Sequence, residues 1–91
     1  MWSLHLHLVV NVTIENIREG IQGDMYQCPI ALALLDAGVF DSQVTHDFIQ
    51  FYPHRTYGPP VRIHTPKEVK EWIHSFDYEW PVSPFSFSIH E

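Results

Sequence analysis

Apolar and polar residues alternate from Leu4 to Ile14: Leu4, Leu6, Leu8, Val10 and Val12 fall on one side, His5, His7 and Asn11 on the other. That period of two predicts a strand buried on one face. Thr13 stands where an N-cap belongs, and a single helical turn through Ile17 and Arg18, stopped by Gly20, is expected next. Ile21 to Gln27 reads as a loop, because Gly20 and Gly23 admit positive φ and Asp24 suits a turn. Between Cys28 and Gly38 the pattern changes. Pro29 fits the first helical position and Gly38 the residue past the end, and the stretch between them is apolar on nearly every side until Asp36. A helix of that kind belongs against a sheet.

Two further strands are expected around Val44–Tyr52 and Val61–His64, joined by Pro53 to Pro60. Thr65-Pro66-Lys67-Glu68 combines an N-cap, a proline at the first helical position and the glutamate of a capping box. Val69, Trp72, Ile73 and Phe76 follow at the spacing of one helix face. After Pro81 the alternation returns, with Phe85, Phe87 and Ile89 inward against Ser86, Ser88 and His90. The order β-α-α-β-β-α-β predicts a single α+β domain over residues 1–91. A mostly antiparallel sheet of about four strands, with helices packed on one face, covers this pattern. The other face is then solvated or meets a second subunit.

Composition narrows the function classes. Hydrophobic residues are 45% of the chain, enough for a packed core, and the three Trp, four Tyr and six Phe fill a small one efficiently. The formal net charge of −6 leaves five Lys and Arg spread along the chain. DNA or RNA polymers need a basic face that displaces counterions, so they are not expected as partners. A small anion held by one Arg remains open. The longest apolar run, Ile30 to Leu35, falls far short of the ~20 residues of a membrane span, and Met1-Trp2-Ser3-Leu4-His5 lacks the basic cluster of a secretory signal. With one cysteine there is no internal disulfide, and a cytoplasmic location is expected.

Three groups of residues could carry chemistry. His5 and His7 point the same way from a strand, as two imidazoles on one metal would, with His46, His64 or His90 as further ligands; the plainer reading is the polar half of an amphipathic strand. Cys28 stands at a helix N-terminus, where the dipole can lower a thiol pKa, but more simply fills tight space at the helix entrance. The third group is the segment Tyr52 to Pro60. It sets His54 and Arg55 beside Tyr57 on a proline-stiffened loop, with Arg62 just beyond. Aromatic faces stack on bases and guanidinium holds phosphate, so this composition suits a nucleotide-like anion. The helix entrance, with Asp24 and Cys28, is expected to offer backbone N–H groups to the same ligand. A rigid connecting loop whose tyrosines cover the sheet edge is the alternative.

Ile14 to Gly20, then Gly23-Asp24, then Cys28-Pro29-Ile30-Ala31-Leu32-Ala33 resembles a family of small hypothetical proteins of phages and bacteria, as does the final Pro84-Phe85-x-Phe87 strand. The resemblance covers most of the chain and brings no catalytic residues. It implies a compact phage-type protein in the host cytoplasm, including a counter-defence role that sequesters a nucleotide signal. The expectation is therefore a non-enzymatic, cofactor-free binding protein, homo-oligomeric, with a small anionic ligand at a subunit interface. The alternatives are an inhibitor docking on a host protein, and a metal- or Cys28-dependent hydrolase.

Overall fold

The computed structural model describes residues 7–53 and 58–90. Leu4, His5 and Leu6 lie outside the described residues, as do His54, Arg55 and Tyr57. The first strand, β1, spans His7–Val12, with Val10 and Val12 buried and His7, Val9 and Asn11 exposed, as the alternation requires. Thr13 caps the six-residue helix α1, Ile14–Glu19. Its Oγ1 accepts from the Asn16 amide at 3.2 Å, while Asn16 Oδ1 accepts from the Thr13 amide at 2.9 Å. Asn16 thus takes the place in the capping box usually held by Glu or Gln. Its Nδ2 also donates to Asp36 Oδ2 at 3.0 Å, which ties α1 to the end of the next helix.

That helix, α2 (Pro29–Asp36), opens on Pro29 and buries Pro29, Ile30, Ala31, Ala33 and Leu34. Leu35 faces solvent. The chain leaves α2 through Gly38 at φ +96°, with Gly38 N donating to Leu35 O at 3.0 Å and Val39 N to Leu34 O at 3.2 Å. This pair of bonds is a Schellman ending, and it closes with a buried Leu34–Val39 pair.

Val44–Tyr52, expected as one strand, is a hairpin. β2 (Phe40–Val44) and β3 (Phe48–Tyr52) are antiparallel, and β4 (Val61–His64) joins the far side of β3. The turn contains neither Gly nor Pro. Thr45 makes it instead: its Oγ1 accepts from the amides of Asp47 and Phe48 at 3.2 and 3.0 Å, and its own amide donates to Phe48 O at 2.9 Å. The register of β2 on β3 shifts between Phe40 and Gln43, and Asp41 sits there at φ +51°. This is a bulge whose left-handed residue is not glycine.

The last helix, α3 (Lys67–Asp77), begins after Pro66 and buries Val69 and Ile73. The expected capping box does not form. Thr65 is buried, and its Oγ1 donates to Thr45 O at 2.8 Å rather than accepting from the helix, so the hydroxyl holds β4 to the hairpin turn. β5 (Phe85–His90) returns antiparallel to β1, with Val10 opposite Phe87 and Leu8 opposite Ile89. The class is α+β, but the described residues form five strands in two sheets, β1-β5 and β2-β3-β4, rather than one sheet of about four. Val10, Val12, Phe87 and Ile89 from the first sheet and Val44, Ile49 and Phe51 from the second meet in one core around Ile30 and Leu34. Helix α2 packs on both sheets, through β1 and β2. Among the described residues no helix is long and apolar enough to cross a membrane.

Candidate functional site

The loop before α2 is held at both ends of its course. Asp24 Oδ1 accepts from the amides of Tyr26 and Gln27 at 2.8 and 3.0 Å, so it closes a side-chain turn. Val44 N donates to Met25 O at 2.8 Å, and Gly23 N, at φ +71°, donates to Asp77 Oδ1 at 3.2 Å. The other Asp77 oxygen lies 3.9 Å from His46 Nε2. These ties frame a cleft of about 190 Å³ that Asp24, Cys28, His46 and Asp77 line.

This cleft suits an anion poorly. Two carboxylates face it, and Pro29 has no N–H to offer. Burial pushes the Cys28 thiol above 9.0, its ordinary value, the nearby amides of Ala31 and Ile30 pull it down less, and the Asp77 and Asp24 charges raise it further. The dipole effect expected of a helix-start cysteine is outweighed by desolvation. At neutral pH Cys28 is a buried, protonated thiol, so the nucleophilic role has no support in its surroundings.

Arg62 lies elsewhere. It stands on β4 opposite Gln50, two strand spacings or ~10 Å from β2, whose far edge carries the loop. Its side chain is on the face of the sheet turned away from the core. The structure therefore brings Asp24 and Cys28 together but does not bring Arg62 to them, and Pro53, which leads to the undescribed residues 54–57, follows β3 at the end opposite His46.

The outer face around Arg62 is itself organised. Residues paired in the ladders share a face, so Phe48 and His64, then Gln43, Gln50 and Arg62, then Phe40 and Tyr52 form three successive rows on it. The Arg62 guanidinium carbon lies 4.0 Å over the centre of the Phe48 ring, and its Nε donates to Gln50 Oε1 at 3.0 Å. Stacking and tether fix the plane of the group and leave both terminal nitrogens without a partner among the described residues. None of the strand residues on this face is a carboxylate. Arg62 was legible in the sequence; its partners Phe48 and Gln50 were not, because cross-strand register is invisible in a linear pattern.

A second feature was missed altogether. Glu79 takes φ +61° after α3, and Trp80 N donates back to Ser75 O at 2.9 Å while Glu79 N donates to Phe76 O at 3.1 Å. This Schellman ending folds Trp80 against the last turn. The His74 ring lies 4.5 Å from Tyr78 and 5.5 Å from Trp80, centre to centre. His74 and Trp80, with His46, Lys70 and Glu71, border a groove of about 440 Å³. Tyr78 and Trp80 are 64% and 57% exposed, high for rings of this size.

No protein-family model matches the chain, and neither does any curated protein or solved structure.

Proposed function

We propose that the protein is a small non-enzymatic binding protein that captures a flat anionic ligand of nucleotide type on the open face of the three-stranded sheet. One observation carries this reading: a guanidinium already stacked, already tethered, and with both terminal nitrogens unpartnered among the described residues. Holding such a group in place beforehand removes ordering cost from the binding step, and its fork matches phosphate oxygens. Phe48 and Tyr52 supply ring surface beside it, and His64 a further donor. Against a net charge of −6, a patch whose described strand residues carry one cation and no carboxylate lowers the repulsion an anion meets. An open sheet face cannot enclose a ligand, so a second copy laid across it completes the site. The phage-type, counter-defence context rests on the family resemblance, and the host cytoplasm on the same ground.

Thermal-shift measurements with nucleoside monophosphates and the matching nucleosides test the assignment. A phosphate-dependent rise in melting temperature is expected, weakened about tenfold or more in apparent affinity by Arg62→Gln. Equal stabilisation of wild type and Arg62→Gln would remove Arg62 from the site.

A second reading, inhibition of a protein partner, is favoured by the Tyr78–Trp80 surface, since exposed aromatics of this kind anchor protein interfaces. Here Trp80→Ala, and not Arg62→Gln, would abolish co-purification of a stoichiometric protein from lysate.

A further inference from the structure

The ladder of β1 and β5 sets His7 directly opposite His90. Both side chains are exposed on the face turned away from the core, and their rings lie 4.4 Å apart at 15° to one another. The remaining strand residues of that face are Val9, Asn11, Ser86 and Ser88, with Ser86 Oγ donating to Asn11 Oδ1 at 2.6 Å. No charged side chain from β1 or β5 stands among them to repel a cation or to engage an imidazole. Directly opposed strand residues carry Cβ atoms about 4.5–5.5 Å apart, a spacing from which two exposed imidazoles can reach one ion at about 2.0–2.1 Å once the rings turn out of the stack and their nitrogen lone pairs converge.

We propose that His7 and His90 form a two-imidazole site for a borderline divalent transition ion such as Cu²⁺, Ni²⁺ or Zn²⁺. Imidazole nitrogen prefers these ions over the oxygen-seeking Mg²⁺ and Ca²⁺. Among the described residues no group of three His, Cys, Asp or Glu could hold a metal, and the proposed site takes two ligands from them, with water completing the shell. Copper binds more tightly than nickel at such a site. An ion held there also pins together the ends of the two strands, and binding to the folded chain alone stabilises it.

Calorimetric titration of untagged full-length protein with CuCl2 and NiCl2 tests the proposal. One ion per chain is expected, with tighter binding of copper and a rise in melting temperature. His7→Asn and His90→Asn should each weaken binding about tenfold or more, by analogy with the cost of disturbing a metal ligand's support. His64→Asn and His74→Asn should bind as wild type does. His90→Asn leaves every group near the N-terminus in place, so undiminished affinity in that folded variant would overturn the site. Circular dichroism melts without metal establish that each variant folds.

Discussion

Glu79 and Gly38 hold the same position in two helix endings, both left-handed, one at φ +61° and the other at φ +96°. An L-residue pays roughly 1–2 kcal/mol there, offset in part because glycine would lose more backbone entropy on folding. Glu79→Gly should therefore stabilise the protein by about 0.5–1 kcal/mol, a rise of about 2–8 °C in Tm. Gly38→Ala should do the reverse by ~1 kcal/mol, and open space around Gly38 means that the loss is backbone strain rather than a clash. Thermal denaturation of the two variants checks both signs. Cys28 makes a prediction in pH. Its folded pKa is raised, so the protonated thiol contributes its full share below about 9.0, and that share is lost as the pH climbs through the higher folded value. Urea midpoints should fall above pH ~9 in wild type and less steeply in Cys28→Ala. Gly38 could be read from the sequence because glycine announces a left-handed turn. Glu79 could not, since glutamate does not signal positive φ, and Asp41 could not, since it takes that conformation at a bulge set by cross-strand register.

At the scale of elements, the contact of α1 with α2 depends on the absence of one atom. A Cβ on Gly20 would run into the Pro29 ring, and a proline ring has no rotamer through which to escape. Gly20 has φ −70°, which any residue adopts, so only space requires glycine there. Gly20→Ala should cost roughly 1–3 kcal/mol in chemical denaturation; wild-type stability would mean that the two helices stand further apart. The amphipathic strand β1, the ends of α2 and the alternation of β5 were all written in local pattern. The β2–β3 hairpin was not, because Thr45 closes its turn with a side chain and leaves no Gly or Pro to mark it. Thr65 shows the other failure. Its sequence context fits a capping box, yet a partner twenty residues away claims the hydroxyl. Local rules yield to such a tertiary hydrogen bond when the donor is buried.

Over the whole molecule, two sheets and α2 share one core, and Arg62 stands on the face of β2-β3-β4 turned away from it. The sequence marked Arg62 and a flat anion together. It also joined Arg62 to the α2 entrance, which the topology separates, because β4 lies at the edge of the sheet farthest from the loop. The residues that ready Arg62 for a ligand, Phe48 and Gln50, come from the neighbouring strand. Native mass spectrometry of wild type and Arg62→Gln, expressed and purified side by side, tests this account most directly. It predicts that wild type carries a small phosphate-bearing molecule in stoichiometric amount and that Arg62→Gln flies without it. The same retained mass on both proteins would contradict it.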